Sequence, residues 1–333
     1  MKKKGLLIIL AMGLILSACQ TGNPSTTQPA GTDVPPKETV NSEQLTIRIA
    51  VLPLIDTLPM YVADQEGLFL AKGVKVEFIP VASAPERDQI LQAGQADATV
   101  NEILSDMFLN KEKIQMEVVR YAHMASSTSA HFFILASAQS GISKVDDLKG
   151  VEIGISQGTI IEYVTDRLLQ AKGFKPGDIK TIAVPKMSDR MSLLTSGGLK
   201  AGVLPDPLAA LAVQQGSVIV LDDTQYPSYG ASVISFSKTF VENHQEAVRG
   251  FLAAIEEATG LVNSNPTKYA SLLSDKQLVP KPLLGSYVIP KFPSAGITSE
   301  AEWNDALSWA KEKGLLTVDI SYSDSVNSSF LPK

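Results

Sequence analysis

The sequence predicts an α/β chain of two tandem βαβαβ halves. A repeated strand–loop–helix unit, its continuation downstream, and two apolar runs placed between and after the halves support this. The unit is clearest in KGVEIGISQGTIIEYVTDRLLQAKG, Lys149–Gly173. Val151, Ile153 and Ile155 alternate as in a strand, Thr159 supplies a capping hydroxyl, and Gly173 closes the helix. LTIRIAVLPLIDTLPMYVADQEGLFLAKG, Leu45–Gly73, repeats it earlier in the chain. The match then continues: VKVEFIPV (Val74–Val81) with IKTIAVPK (Ile179–Lys186), Ala84–Asp97 with Met187–Gly198, and ATVNE (Ala98–Glu102) with AGVLPD (Ala201–Asp206). Each half therefore ends with an acid at a strand tip, and alternating strands and helices favour a parallel-sheet architecture.

The individual elements follow from local signals. Pro59 sits in the first turn of a helix that continues to Gly73, and Pro85 opens the next, which Gly94 ends. Asn101-Glu102 marks a strand-to-helix change. Met116–Tyr121 reads as a strand. His131–Ser137 is an apolar run of the kind buried on both faces, and Tyr229–Ser237 is a second one. Both are expected to carry the chain across between the halves, with hinges at Ser126–Ala130 and Gln225–Gly230. Beyond Lys238 the chain is mostly helical, including a capping-box start at Ser299–Glu302, and these helices are expected to pack on the first half.

The first 44 residues are of a different kind. Three lysines precede an apolar run from Gly5 to Leu16 that is too short to span a bilayer comfortably, followed by Leu16-Ser17-Ala18-Cys19. This pattern resembles a bacterial lipobox. Cys19 is the only cysteine, so no disulfide can form within the chain, and a lipid-modified Cys19 is expected after removal of residues 1–18. Residues 19–44 are rich in Thr, Pro, Ser and Gly and read as a flexible tether. The chain without residues 1–18 keeps 26 basic against 35 acidic residues, a net of −9, which argues against nucleic acid as a partner.

Two similar α/β lobes on a lipid-anchored exported chain resemble the solute-binding subunit of an ABC importer. LPMYVADQEGLFLAKGVKVEFIPV, LQAGQADATVNE and DDLKGVEIGISQGT are similar to the group that binds nitrate, taurine, sulfonates and thiamine pyrimidine precursors. The resemblance covers essentially the whole chain after the tether. It implies the type II periplasmic-binding-protein fold, with residues 45–128 plus 232–333 as lobe one and 132–226 as lobe two. It also implies a monomer that closes on its ligand and passes it to a permease and its ATPase.

Ligands of open α/β sheets sit beyond the carboxyl ends of the strands. The candidate ligand contacts are therefore Asp56, Thr57, Leu58, Asn101, Glu102, Ser126, Ser156, Gln157, Gly158, Thr159, Asp206 and Tyr229. Simple helix capping by Ser156, Gly158, Thr159 and the two acids is the competing reading. No lysine or arginine lies in the four cleft loops. Unpaired buried carboxylates at Glu102 and Asp206 would favour a neutral or cationic, vitamin-like heterocycle, with Tyr61, Tyr121 and Tyr229 available to stack on it. A sulfonate, taurine or nitrate ligand is the alternative.

Gly154-Ile155-Ser156-Gln157-Gly158 also fits the nucleophile elbow of α/β-hydrolases, with Asp206 and His244 following in the right order. Its duplicate, IDTLP, has no serine, and no HGG-type loop precedes it, so a binding protein rather than an enzyme is expected. The cysteine-dependent pyrimidine synthase that shares the fold is excluded by the single cysteine. His123, His131 and His244 lack metal-ligand spacing, and no metal or cofactor is expected.

The anchor has a direct test. Replacing Cys19 with Ala should move the protein from the membrane fraction to the soluble fraction; unchanged membrane retention would show that Cys19 does not hold it.

Overall fold

A computed structural model of the chain describes residues 45–332. Cys19 and the segments assigned to signal and tether lie outside them. The first half runs β1 (Thr46–Val51), α1 (Leu58–Gln65), α2 (Leu68–Ala71), β2 (Lys75–Pro80), α3 (Ala84–Gln92), β3 (Ala98–Asn101), α4 (Ile103–Asn110) and β4 (Met116–His123). The second runs β5 (Phe132–Ala136), β6 (Glu152–Ile155), α5 (Ile160–Ala171), β7 (Lys180–Ala183), α6 (Met187–Ser196), β8 (Ala201–Pro205), α7 (Leu208–Gln214) and β9 (Val218–Asp222). The chain then returns through β10 (Ser232–Ser237) and ends in α8 (Lys238–Asn243), α9 (Gln245–Ser264), α10 (Ala270–Asp275), α11 (Glu300–Glu312) and α12 (Tyr322–Ser325).

The strands form two five-stranded sheets of matching design, ordered β2-β1-β3-β10-β4 and β7-β6-β8-β5-β9. In each, three parallel strands of one half are extended by an antiparallel strand that has crossed from the other part of the chain. β10 pairs antiparallel with β3, Val233 opposite Asn101, and β5 pairs antiparallel with β8, Phe132 opposite Pro205. The two apolar runs are thus these inserted strands. This is the type II periplasmic-binding-protein architecture.

The local signals account for most element ends. Ser83 accepts a hydrogen bond from Glu86 N at the start of α3, and Thr159 from Ile161 N at α5. Ser299 and Glu302 form the reciprocal capping box of α11. The helix expected to run from Pro59 to Gly73 breaks in two, because Gly67 takes φ +70° and starts a new turn at Leu68.

One apolar core lies under the first sheet, where α1, α2, α9 and α10 pack. In its centre Phe251 of α9, fully buried, stacks on Phe69 (centroids 5.1 Å) and meets Phe236 edge-on (5.4 Å). The second core is shared: Ile103, Leu104 and Met107 of α4, Trp303 and Trp309 of α11, and Ile161, Val164 and Leu168 of α5 belong to one cluster. α8, α9 and α10 accordingly pack with the first sheet, as expected from the sequence. α11 additionally reaches across to α5.

Phe251→Ala should lower unfolding stability by about 3–5 kcal/mol, the range for emptying a buried aromatic site. Urea unfolding gives the value, and a loss under about 1 kcal/mol would mean that the α9 face is not tightly packed.

Candidate ligand-binding site

The carboxyl ends of β1 in the first sheet and of β8 and β9 in the second lie where the chain crosses between the sheets. After β1 a single 3-10 turn, Ile55–Thr57, buries Asp56. β4 ends at His123, a turn closed between Ser126 and Ser129 follows, and His131 leads into β5. Asp206 follows β8, Asp223 follows β9, and Tyr287 arrives from the segment between α10 and α11. Asp56 Oδ1 lies 3.5 Å from His131 Nε2, and both side chains are nearly inaccessible to water. His131 Nδ1 is 2.8 Å from the Gly230 carbonyl, and Asp223 Oδ1 accepts from the backbone N–H groups of His131 and Phe132 at 2.8 and 3.1 Å. The Tyr287 hydroxyl donates to Asp206. The His123 ring meets His131 edge-on at 4.7 Å.

These contacts determine the charges. Burial alone would lower the His131 pKa, but the nearby charges of Asp56 and Asp223, with the hydrogen bond to the Gly230 carbonyl, raise it to about 9. Burial pushes the Asp56 carboxyl up, yet the two histidines, His131 above all, hold it well below the usual carboxylate range. His123, buried beside a charged imidazole, falls to about 3 and stays neutral. Burial raises Asp206, partly offset by the hydrogen bond from Tyr287 and the charge of His131.

A pocket of about 410 Å³ opens beside this cluster, lined among others by Asp206, Asp222, Thr128, Thr224, Ser286 and Tyr287. It has two carboxylates in its wall and no lysine or arginine. A larger cavity, about 600 Å³, lies at the opposite edge of the first sheet, lined by Arg48, Asp97, Lys238 and His244. Its principal cations are already paired, Arg48 with Asp97 and Lys238 with Glu117. It lies away from the strand ends where the halves meet, and we place the site at the junction.

The other candidate residues divide. Thr57 donates to the Leu54 carbonyl at 2.8 Å, and Leu58 is core. Asn101 bonds Asp106 and Ser235. Glu102 is not short of a cation: Arg87 from α3 reaches it at 3.3 Å, and Ser105 donates to it at 3.1 Å. The argument for a cationic ligand at Glu102 therefore fails, because the cation comes from a helix rather than from the cleft loops. Ser126 accepts from Thr128 N within its own turn. Ser156 bonds Arg190 and the Pro185 carbonyl, while Gly158 N donates to Glu162 and the Thr159 hydroxyl to the Ser156 carbonyl. Gln157 is exposed. Tyr229 packs on Tyr163 and Tyr226 rather than at the acid–histidine cluster. Tyr61 is turned into the first core against Phe78, and Tyr121 donates to Glu302, so neither takes the stacking place expected of it.

The hydrolase arrangement does not assemble. Asp206 bonds Tyr287, and His244 packs on Phe240 at the far edge of the first sheet. His123 and His131, which lack metal-ligand spacing in the sequence, sit at the centre of the junction. Their position at the two ends of one crossing was the available signal.

Residues 55–269 match the family model described as NMT1/THI5 like. The chain belongs to this family. Among curated members it is 28% identical over 162 residues to a "Putative aliphatic sulfonates-binding protein" of Escherichia coli (strain K12), covering 48% of this chain and 50% of that one. The chain thus spans half the length of that relative. It is 23% identical over 354 residues to the riboflavin-binding protein RibY of Chloroflexus aurantiacus, covering 98% and 96%. The alkanesulfonate-binding protein SsuA of Xanthomonas axonopodis pv. citri, solved with MOPS, superposes with TM-score 0.71 at 16% identity over 85% of this chain and 98% of that one.

The junction should give stability a defined pH dependence. His131 is raised from 6.5 to about 9. Its contribution is therefore complete below pH 6.5 and is lost as pH rises to 9, because the unfolded chain gives up this proton first. Unfolding free energy should fall between pH 7 and 9, by on the order of 2 kcal/mol. The fall should disappear in His131→Asn; a wild-type protein equally stable at both values would contradict the buried ion pair.

Proposed function

We propose that this chain is the solute-binding component of an ABC import system, capturing a small organic molecule at the junction and delivering it to a permease and its ATPase. The observation that supports this reading is the carboxylate-walled pocket at the ends of β8 and β9, beside the first chain crossing and next to the buried Asp56–His131 pair that ties the two sheets. Residues 45–128 with 232–333 act as one jaw and 132–226 as the other, hinged at the crossings. The protein works as an extracytoplasmic monomer held by a lipid on Cys19. Its task is binding rather than catalysis, in keeping with Asp206 being bonded to Tyr287 and His244 packing on Phe240 instead of on Ser156.

The favoured ligand is a neutral or cationic heterocycle with N–H or O–H donors. The wall of Asp206 and Asp222, without a basic side chain, supports this, as does the riboflavin-binding relative that aligns along nearly the whole chain. A pocket of about 410 Å³ is within the range of small-molecule sites. A sulfonate ligand is the second reading, favoured by the relatives that carry that name.

Calorimetry with riboflavin, aminopyrimidines and alkanesulfonates decides between them. A heterocycle should bind, and Asp206→Asn should weaken it about tenfold or more, the loss expected for a hydrogen bond to a charged group. Tight sulfonate binding that is indifferent to this substitution would overturn the ligand assignment, and no binding by any of the three classes would count against the binding reading itself.

A further inference from the structure

Three polar side chains close a ring inside the first half. Asn101 at the end of β3, Asp106 in the first turn of α4 and Ser235 in β10 are all buried. Asn101 Nδ2 donates to Asp106 Oδ1 at 2.7 Å. Ser235 Oγ lies 2.6 Å from Asp106 Oδ2 and 2.9 Å from Asn101 Oδ1. Three contacts need three hydrogens. Ser235 has one hydroxyl hydrogen, and Asn101 can place only one of its two amide atoms as donor, whichever way the amide is turned. An ionised Asp106 only accepts. Two hydrogens would then serve three contacts, and one pair of oxygens would face each other unbonded at hydrogen-bond distance.

The surroundings disfavour that charge as well. Burial pushes the Asp106 carboxyl up to about 7, against the hydrogen bonds from Ser235 and Asn101. α3, β4, β10 and α11 pack on α4. The negative Glu102 raises Asp106 further, while Arg87 lowers it from a guanidinium already shared between Glu102 and Asp88. Of the charges on β4 and α11, Glu117 pairs with Lys238, Arg120 with Glu256 and Asp305 with Arg167, and Glu302 accepts from Tyr121. His123, at the far end of β4, belongs to the junction, and β10 brings no charged side chain.

The second half builds the same place without polar groups. Asp206 stands where Glu102 does, which sets Pro205 at the position of Asn101 and Ala210 at that of Asp106. On the inserted strand, Ile134 opposite Val203 replaces Ser235 opposite Thr99. The architecture therefore forms without such a ring, and the first half adds it.

We propose that Asp106 holds the third hydrogen as a neutral carboxylic acid, and that losing it opens the ring, so that β3 and α4 grip the returning strand β10 through a proton-sensitive clasp. With the proton in place, Asp106 donates to Ser235, Ser235 to Asn101 and Asn101 back to Asp106, and all three groups are satisfied. Without it, one contact loses its hydrogen and a charge stays in the interior. β10 follows the second crossing, so deprotonation loosens the footing of that crossing. The folded chain keeps this proton to higher pH than the unfolded one. The clasp's contribution is therefore complete below pH 3.8 and is lost as pH rises through about 7.

The carboxyl carbon resonance of Asp106, assigned through its own backbone in the full chain, reports the proton directly. Between about pH 5 and about pH 9 it should move from the position of a neutral acid to that of a carboxylate, with a midpoint near 7. A carboxylate position already at about pH 5 would overturn the proposal. Hydrogen exchange tests the clasp. Over the same range the β10 amides should lose about tenfold in protection, beyond the ordinary pH dependence of exchange, as one buried hydrogen bond is lost. Asp106→Asn both accepts and donates, so it should keep the ring closed and abolish this loss. Wild-type β10 protection that does not change with pH, or changes equally in Asp106→Asn, would refute the clasp. The wild-type resonance and exchange decide even if the variant does not fold, and neither measurement depends on which solute is bound.

Discussion

The Asp56–His131 ion pair is the constraint on which the junction depends. Each partner is buried, and each alone would lose its charge or destabilise the chain. Together they fix the turn after β1 of one sheet against the first residue before β5 of the other. The Gly230 carbonyl holds His131 Nδ1, and Asp223 holds the backbone on either side of the ring's attachment. Both crossings are therefore tied to one imidazolium. Gly230 has little freedom to change, since a Cβ there would come within 2.5 Å of Phe132 and 2.6 Å of Asp223. His123 remains neutral, because burial disfavours its charge and a second positive ring 4.7 Å from His131 would add repulsion.

The shared second core shows how two sheets of repeated design are held in one body. α11 packs apolar residues on α4 and sends most of its directional contacts to α5. Asp305 accepts from Tyr163 and Arg167, Asp166 accepts from Trp309, and Lys313 bridges Glu162 and Asp166. Apolar surfaces slide with little change in contact energy, whereas hydrogen bonds are lost when stretched. Tyr121 of β4 in turn donates to Glu302, so α11 is tied by directional bonds to both sheets.

Much of this was legible in the sequence because it depends on local or periodic signals. Alternating Val151, Ile153 and Ile155 gave the strand, Thr159 and the Ser299–Glu302 box gave helix starts, and the two apolar runs were placed correctly as crossing strands. The in-register repeat pointed to two matching sheets and to the edges where they meet. What escaped was set by partners far apart in the chain. Nothing near Glu102 reveals that Arg87 neutralises it, and nothing near His131 reveals Asp56 or Asp223. Tyr61 and Tyr121 were misjudged because whether an aromatic ring faces a core or a cleft depends on packing that periodicity does not encode. Gly67 was passed over because a glycine inside an apolar helical pattern signals a break only when the chain beyond it turns away.

The duplication shows that backbone symmetry does not imply symmetry of charge. Both halves bury an arginine in the helix that precedes their third parallel strand, with an acid following that strand's tip. In the first half the two meet, and Ser105 and Asp88 complete an internally satisfied network, which makes that strand end rigid and chemically closed. In the second half the acid turns to Tyr287 and the junction, and the arginine keeps donors in hand. A hydrogen-bonding network can be satisfied within the chain or left to meet a partner, but the same atoms cannot do both. The half that supplies its own counter-charge serves as scaffold. The half that does not leaves buried donors unmatched, Arg190 Nε and Nη2 among the described residues.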